Sequence, residues 1–586
     1  MNRHERRAAA RKSSTKPGGP ETPDELYQTA VGHRRAGRSI DAQLSCQQAL
    51  QIDGTHADSL HLMGLLLRDA GQHDHAVQWI ARAVKQTIKP EYLFSLGQAL
   101  RQQGRRDEAL LAFRHVLNLA PAHWDAAQES GALLHESGRL QEALDVLKPC
   151  LEARPDHVPT VVTCTEYMLS LRQFEDVVAI NQRAHVLDPG NADRCNSVAV
   201  ALQLLGRQEE ALPWFDRAIA LRPDFIDALN NKAVGLSNLH RFEEACATYD
   251  RVKIIDPCNV GAEWNLALLQ MLTGNFEAGW AGREAYWKTD RQSSYPKFSK
   301  PRWFGEAGIE GKTILVCADE GLGDTIQFAR YVPLLASRGA RVILAVEESA
   351  RALLSALPGV SQCVRKAANG LPAFDMHCPI SGLPPAFETR LDTIPSEVPY
   401  LPAPPQHLVQ TWNDRLGPHD KLRVGLVWSG NPQHGNDHNR SIPLGALLRL
   451  LDLDATFVSL QKDPRPADRD VLTQRGDIVD LTAHLTDFVE TAALIGCLDL
   501  VITVDTSVAH LAAALGRPTW ILLPYTPDYR WLLDREDSPW YPTVRLFRQT
   551  DSREYASVLD RVRSELRGLI FKNWRERRDS NPRPPP

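Results

Sequence analysis

Residues 189–222 read PGNADRCNSVAVALQLLGRQEEALPWFDRAIALR, and residues 223–256 read PDFIDALNNKAVGLSNLHRFEEACATYDRVKIID. The two stretches are equally long, and each begins with a proline. Prolines recur at this spacing of 34 residues along the chain, at Pro121, Pro155, Pro189, Pro223 and Pro257. A period of 34 residues is typical of a two-helix unit that stacks on its neighbours. The spacing therefore predicts an α superhelix in the front half of the chain.

Small residues keep the same register wherever stacked helices must approach each other. One series follows the second helix of each unit: Ala42, Ala76, Ala109, Ala143, Val177, Ala211 and Ala245. Another follows the first helix: Ala30, Gly64, Gly97, Gly131, Ala199, Ala233 and Ala267. Glycines fall between the two helices, where a positive φ is often required, at Gly37, Gly71, Gly104, Gly138, Gly206 and Gly274. The three series indicate closely packed helix pairs.

This pattern resembles the tetratricopeptide repeat family over residues 23–290, with about eight repeats. The resemblance implies a concave groove that holds a protein segment. It says little about chemistry, because fold alone does not determine function.

Bulk composition excludes some classes of function. The chain has 67 basic and 72 acidic residues and a net charge of -5, so we do not expect nucleic acid as a partner. Ten cysteines are scattered without a C-x-x-C pair, which favours a reducing compartment and a cytoplasmic location. No apolar stretch approaches the ~18 residues of a membrane span. We therefore expect no transmembrane segment.

The sequence predicts seven segments. Short apolar runs, such as TILVCA from Thr313, RVILAV from Arg341 and DLVITV from Asp499, alternate with helical patterns after the repeats and predict parallel sheets. The predicted segments are a disordered basic arm (1–22), the repeat array (23–290), a polar linker (291–310), an N-terminal lobe (311–400), a connector (401–420), a C-terminal nucleotide-binding lobe (421–570) and a disordered tail (571–586). Ligands of such sheets bind beyond the carboxyl ends of the strands.

The loop after the first predicted strand reads DEGLGDTIQF from Asp319. Gly321 and Gly323 allow a tight turn into a helix and a close approach to a ligand. Asp324 would lie in the first turn of that helix, where the macrodipole favours a carboxylate by ~0.3–1 kcal/mol, and it could serve as a general base. The alternative is a helix-dipole aspartate without a catalytic task. A dinucleotide fingerprint is incomplete, because Ile326 stands where its third glycine would be.

Three loops of the second lobe predict a site for a diphosphate. DTSVAH places Asp505, Thr506, Ser507 and His510 at a helix N-terminus, whose free N–H groups suit an anion. The loop from Trp428 adds Ser429, Gly430, Asn431 and Arg440, and the guanidinium of Arg440 could pair with phosphate. Gln461 and Lys462, after a third strand, are possible donor contacts. The alternatives are an ordinary helix cap at Asp505 or Thr506 and an Arg440 that only solvates its loop.

Four motifs resemble the heptosyltransferase-like glycosyltransferases with the GT-B fold, which occur in bacteria behind tetratricopeptide repeats. They begin at Gly321 (GLGDTIQFARYVPLL), Val424 (VGLVWSGN), Phe457 (FVSLQK) and Val504 (VDTSVAHLAAALGRPTW). The resemblance implies that Asp324 is the catalytic base, and that Asp505, Thr506, Ser507 and His510 bind the donor diphosphate. It also implies inversion and metal independence. The basic residue of the second lobe is Lys in the heptosyltransferases proper, and Arg440 is the nearest match here.

We expect a glycosyltransferase that moves a sugar from a nucleotide-diphosphate donor to a hydroxyl acceptor, with no further cofactor. The acceptor would be a protein or glycan that the repeats present or select. The alternative is a non-enzymatic scaffold, in which the repeats bind a protein and the transferase module is degenerate. The joint presence of Asp324, Arg440 and the DTSVAH loop favours the enzyme.

Overall fold

The computed structural model describes residues 22–288, 295–366 and 370–580. The basic arm predicted at residues 1–22 lies outside this range except for Thr22, whose side chain caps the first helix. Residues 581–586 of the predicted tail also lie outside it.

The described part of the array contains sixteen α-helices in eight consecutive pairs, which confirms the repeats. They are α1 (Pro23–Arg35), α2 (Ser39–Ile52), α3 (Ala57–Asp69), α4 (His73–Gln86), α5 (Pro90–Gln102), α6 (Arg106–Leu119), α7 (Trp124–Glu136), α8 (Leu140–Ala153), α9 (Val158–Ser170), α10 (Phe174–Leu187), α11 (Ala192–Leu204), α12 (Gln208–Leu221), α13 (Ile226–Asn238), α14 (Phe242–Ile255), α15 (Val260–Leu272) and α16 (Phe276–Arg283). A short 3-10 helix, Glu284–Lys288, follows.

The repeat signals have the packing roles that their spacing predicts. The six inter-helix glycines have φ between 73° and 92°, and the two pairs without glycine use Arg172 and His240 at the same position with φ of 59° and 58°. A Cβ on Gly64 would lie 2.4 Å from Ile80 Cγ1, and one on Gly97 would lie 2.5 Å from Phe113 Cε1. Close helix packing therefore requires the small residues.

The chain divides into two compact units, residues 1–228 and 229–586. The first unit contains α1 to α12 and the start of α13. The second contains the last helices of the array together with the α/β domain, so the end of the array predicted at residue 290 is not the boundary between the compact units.

The α/β domain consists of two wholly parallel sheets, which confirms the two-lobed class. The first sheet contains β1 (Thr313–Cys317), β2 (Arg341–Val346), β3 (Val360–Arg365) and β4 (Met376–Pro379) in the order β3-β2-β1-β4. The second contains β5 (Leu422–Val427), β6 (Ala455–Ser459), β7 (Ile478–Val479), β8 (Leu500–Val504), β9 (Thr519–Leu523) and β10 (Val544–Arg548) in the order β10-β9-β8-β5-β6-β7. The second order is that of a doubly wound nucleotide-binding fold, whose crevice lies between β5 and β8.

Eleven α-helices accompany the described strands. They are α17 (Leu322–Phe328), α18 (Val332–Ser337), α19 (Glu348–Ser355), α20 (Leu383–Ala386), α21 (Gln406–Leu416), α22 (Asp437–Arg440), α23 (Leu444–Leu447), α24 (Pro466–Gln474), α25 (Phe488–Gly496), α26 (Ser507–Ala514) and α27 (Tyr555–Ser580). Helix α21 lies within the predicted connector. Helix α27 continues well past residue 571, where a tail without regular structure was predicted. Within the described ranges, no helix has both the length and the apolar character needed to cross a membrane.

The segment predicted as a polar linker packs against the first sheet in its described part, from residue 295 onwards. Tyr295, Trp303 and Ile309 are buried. The Trp303 amide donates to the carbonyl of His377 in β4 (2.8 Å), and the His377 amide donates to the carbonyl of Pro301 (3.0 Å). The buried aromatic and aliphatic residues of this segment therefore belong to the core of the N-terminal lobe, although the sequence around them is polar.

The last repeat helix contributes to the same core. Phe276 is 2% exposed, and its ring centroid lies 6.4 Å from that of Tyr529 and 6.2 Å from that of Trp540. Trp280 donates through Nε1 to the carbonyl of Thr389 at 2.9 Å. Helix α16 therefore packs against residues after β4 of the first sheet and between β9 and β10 of the second.

We expect Phe276→Ala to lower the free energy of unfolding by about 3–5 kcal/mol, because it leaves a cavity among the surrounding aromatic rings. Phe571→Ala removes the same side chain from a site where it is 53% exposed and should cost much less. Denaturant unfolding of the full chain, followed by tryptophan fluorescence, measures both. Equal small effects would show that α16 is not part of the core of the α/β domain.

Candidate active site

The predicted diphosphate site lies where the strand order of the second sheet reverses. Strand β5 ends before Ser429 and its neighbour β8 ends before Asp505, so both loops leave the same edge of the sheet. This is the position at which open parallel sheets bind ligands. The predicted groups of both loops therefore meet at one crevice.

Side chains fix the backbone of the β5 loop. Gln461 Oε1 accepts hydrogen bonds from the amides of Trp428 (3.2 Å) and Ser429 (3.0 Å), and the Gly430 amide donates to Ser441 Oγ at 2.9 Å. Gln461 thus has a structural task that the sequence did not reveal. The hydroxyl of Ser429 is buried without a hydrogen-bond partner. It is free to contact a ligand.

Arg440, at the end of α22, connects the two loops. Its Nη1 donates to the carbonyl of Asp505 at 3.1 Å. The guanidinium lies over Gly430, where a Cβ would come within 2.8 Å of Nη2. Its Nε is buried and has no hydrogen-bond partner. Arg440 therefore lies at the crevice, and its guanidinium has an N–H group without a hydrogen-bond partner. It does not simply extend from its loop into solvent.

Helix α26 begins in the crevice without a side-chain cap. Thr506 is the N-cap residue, with φ −143° and ψ 171°, but its side chain accepts no hydrogen bond from the first turn. Its Oγ1 lies instead 3.2 Å from Thr503 Oγ1. The ordinary capping interpretation is therefore not what the structure shows. The first-turn amides and the positive end of the dipole suit an anion.

Two other predicted donor contacts are at the surface. Asn431 is exposed, and its Oδ1 accepts from the amide of Gln433 at 3.0 Å, which is a local turn. Lys462 is exposed. Nothing in their geometry assigns them a ligand, and their roles stay predictions.

His510 lies between the two lobes and is buried. Nδ1 is 2.9 Å from the hydroxyl of Tyr541, and Nε2 is 3.9 Å from Asp505 Oδ1. A Cβ on Gly323 would lie 2.8 Å from His510 Cδ2, so Gly323 is the residue that lets α17 approach α26. Burial and the nearby Arg530 lower the pKa of His510 to about 3. The imidazole is therefore neutral at physiological pH.

Asp324 lies at the start of α17 and faces the second lobe. Its Oδ2 accepts from the Gly321 amide at 2.9 Å, and its Oδ1 is paired with the guanidinium of Arg530. An ionised carboxylate has about four acceptor positions, so an incoming hydroxyl can still be received. Its side chain is 22% exposed, which leaves it accessible.

Two more carboxylates precede Asp324 in the same loop. Asp319 accepts from the amide of Ser381 at 3.1 Å and also from its hydroxyl. Burial, with Glu320 next in importance, raises the pKa of Asp319 to about 7. Burial also raises the pKa of Glu320, while Arg283 opposes that shift. In the second lobe, burial and the neighbouring Asp528 raise the pKa of Asp505 to about 6.

Sequence reasoning missed the loop after β9, which supplies Asp528, Tyr529 and Arg530. Arg530 Nη1 donates to Asp528 Oδ1 at 2.7 Å, and its Nε donates to Gln327 Oε1 at 2.5 Å. The position of this loop in the sequence could have indicated its role, because PYTPDYRW follows a strand at the same sheet edge as the other loops.

Among the residues that the structure describes, no group of three or more His, Cys, Asp or Glu side chains could hold a metal ion. Metal independence stays a prediction.

Comparison with known proteins identifies both parts of the chain. The model of glycosyltransferase family 9 (heptosyltransferase) matches residues 461–558, and two tetratricopeptide repeat models match residues 90–123 and 191–222. The chain carries tetratricopeptide repeats and a C-terminal glycosyltransferase family 9 domain. The matched part of this domain contains Asp505 and Arg530, whereas Asp324 and Arg440 lie before it.

Protein FlbA from Caulobacter vibrioides is 24% identical over an alignment of 512 residues, which covers 80% of this chain and 83% of that protein. The C-terminal part of a TPR repeat-containing protein from Cytophaga hutchinsonii is 12% identical, with a TM-score of 0.35, and the similarity covers 40% of this chain and 97% of that one. PilF from Pseudomonas aeruginosa is 15% identical, with a TM-score of 0.28, and the similarity covers 36% and 96%.

We expect the contribution of Asp319 to the stability of the glycosyltransferase domain to fall as the pH rises from about 4 to about 7. The pKa of Asp319 is raised in the folded chain, so Asp319 keeps its proton to a higher pH there than in the unfolded chain. Between the two pKa values the unfolded chain is already ionised, and this ionisation stabilises the unfolded chain relative to the folded chain. Asp319→Asn removes this titration while keeping the shape. The melting temperature of the variant, relative to wild type, should therefore increase towards pH 7.

Asp470→Asn, at an exposed position of α24, is the matched control and should leave the pH dependence unchanged. Differential scanning calorimetry between pH 4 and pH 8 measures both differences. A constant difference between Asp319→Asn and wild type over this range would contradict a raised pKa at Asp319.

Proposed function

We propose that the glycosyltransferase domain moves a sugar from a nucleotide-diphosphate donor to a hydroxyl group of the acceptor. The observation that carries this proposal is the crevice between β5 and β8. It joins the Ser429 hydroxyl, the Arg440 guanidinium and the uncapped N-terminus of α26. Asp324 lies on the helix packed against this N-terminus, since a Cβ on Gly323 would be 3.6 Å from Ser507 Cα.

In this mechanism the diphosphate of the donor binds at Arg440 and the first turn of α26. Asp324 accepts the proton of the acceptor hydroxyl while that oxygen forms a bond to the anomeric carbon of the sugar. The bond from this carbon to the diphosphate oxygen breaks on the opposite face, so the configuration inverts. The guanidinium and the helix dipole stabilise the charge on the leaving diphosphate. These groups supply the positive charge that the reaction needs without a metal or a further cofactor.

We further propose that the repeats present or select the acceptor, which is a protein or a glycan, and that the protein acts in the cytoplasm. Stacked helix pairs form extended binding surfaces in other repeat proteins. The position of α16 supports the proposal, because it brings the last repeat beside Thr389, after β4 of the first sheet, and Tyr529, after β9 of the second.

A scaffold without catalytic activity is the second candidate. The ion pair between Asp324 and Arg530 favours it, because a guanidinium occupies one oxygen of the proposed base. A thermal-shift panel of UDP-, GDP- and ADP-sugars identifies a donor by the stabilisation that binding produces. Release of the nucleotide with acceptors present then supports the enzyme. Binding without turnover supports the scaffold.

We expect Arg440→Gln to weaken binding of the nucleotide diphosphate roughly 10- to 100-fold, because it removes charge-assisted hydrogen bonds worth about 1.5–3 kcal/mol. Isothermal titration calorimetry with the diphosphate chosen from the panel measures the change. Arg449→Gln, which removes a surface arginine paired with Asp560 in the same lobe, should bind normally. Unchanged affinity in Arg440→Gln would place the diphosphate elsewhere.

We expect Asp324→Asn to slow sugar transfer by roughly 10²- to 10⁴-fold, because the amide cannot accept the acceptor proton. Binding of the donor should stay close to that of wild type. The assay follows nucleotide release with and without acceptors. Asp392→Asn, at a largely exposed aspartate of the first lobe, is the control. Full activity in Asp324→Asn would reduce this residue to a helix-dipole aspartate.

A further inference from the structure

The last repeat helix carries an arginine that reaches the proposed catalytic loop. Arg283, the final residue of α16, is 8% exposed. Its Nη1 donates to the hydroxyl of Tyr529 at 2.7 Å, and its Nη2 is paired with Glu320. Tyr529 directly precedes Arg530, and Glu320 is in the same loop as Asp324. Arg283 therefore contacts a neighbour of each member of the Asp324–Arg530 ion pair.

Glu320 is shared between two guanidiniums. One oxygen is paired with Arg283, and the other lies 3.8 Å from Arg530 Nη2, the same nitrogen that is paired with Asp324. Glu320 and Asp324 therefore compete for this nitrogen of Arg530. While Glu320 is paired with Arg283, Arg530 remains available to pair with Asp324.

We propose that Arg283 is a positioning residue for the proposed catalytic base, and that it acts by neutralising Glu320 and thereby keeping Arg530 paired with Asp324. This inference rests on the proposed function. It makes the last tetratricopeptide repeat a structural part of the active site, in addition to any role in binding the acceptor.

The consequence of losing Arg283 follows from the charges near Asp324. Glu320 in the preceding loop, Arg530 after β9 and His434 after β5 interact with Asp324. Asp528 after β9 and Asp505 and His510 at α26 interact with Arg530. Without Arg283, Arg530 is the cation that remains within 4 Å of Glu320, so an ionised Glu320 is drawn towards it. A nearby carboxylate and a shared guanidinium both favour the protonated form of Asp324.

We therefore expect Arg283→Gln to shift the acid limb of the pH–rate profile to higher pH by roughly one unit. Arg283→Lys keeps the charge but cannot contact both Glu320 and Tyr529 in the same way, so its shift should be smaller. The double variant Arg283→Gln/Glu320→Gln removes the unbalanced carboxylate along with the cation. Its acid limb should return to the wild-type position.

The matched control is Arg302→Gln. Arg302 also joins the end of the array to the first lobe, through a bidentate pair with Glu284 at 2.8 and 3.0 Å. Its carboxylate partner is Glu284 and not Glu320, so this variant should leave the acid limb in place. An unmoved limb in Arg283→Gln, or an equal shift in Arg302→Gln or in the double variant, overturns the proposal.

A second measurement does not require activity. The difference in melting temperature between wild type and Asp324→Asn, followed against pH, reports the titration of Asp324. We expect this curve to move to higher pH in the Arg283→Gln background and to return when Glu320→Gln is added. If the wild type shows no turnover, the proposed function fails, and this curve alone decides the role of Arg283. If this curve is the same in the Arg283→Gln background as in wild type, the proposed role of Arg283 is overturned.

Discussion

The active site depends on one buried guanidinium. Arg530 uses all three of its nitrogens, on Gln327 and Asp324 of the first lobe and on Asp528 of its own loop. A buried charge is costly unless it is paired and hydrogen-bonded. Separating the lobes would take Gln327 and Asp324 away from this guanidinium and leave it with Asp528 of its own loop. The same ion pair that holds the lobes together therefore fixes the orientation of Asp324 at the crevice.

The last repeats are structurally part of the glycosyltransferase domain. Phe276 and Trp280 are buried with residues of this domain, and His240 stacks on Tyr525 at a ring-centroid distance of 3.9 Å. These contacts explain why the compact unit begins at residue 229, inside the array. A chain cut after residue 290 would expose those aromatic rings. The earlier repeats form a unit whose packing depends on the small residues of the 34-residue series.

Local patterns in the sequence predicted most of the fold. The proline, alanine and glycine series report on packing within one period, and the runs ending before Asp319, Ser429 and Asp505 report on buried strands. Strands β3 and β10 lack such runs, because VSQCVR and VRLFR contain exposed or half-exposed positions. The burial of Tyr295, Trp303 and Ile309 was also missed, since their segment pairs with β4, which lies distant in the sequence.

The sequence predicted those residues of the candidate site that lie together in one loop. It did not predict the contacts between loops that are far apart in the chain. Asp324 and the DTSVAH loop stand at strand ends that the sequence reveals. The task of Gln461 on the β5 loop, the pairing of Arg530 with Asp324 and the reach of Arg283 all join segments far apart in the chain. Residue types and spacing cannot show such pairings.

The two helix N-termini at the crevice differ in a way that suits transfer from a charged donor. Helix α17 carries Asp324 in its first turn, and the carboxylate accepts from the Gly321 amide, so the positive end of this dipole already faces an anion. Helix α26 has no side-chain cap, and the closest imidazole is neutral. Because Gly323 lets the two ends pack closely, they share one space in which the first turn of α26 receives no hydrogen bond from a side-chain cap. A diphosphate bound at this first turn would place the sugar bonded to it beside Asp324.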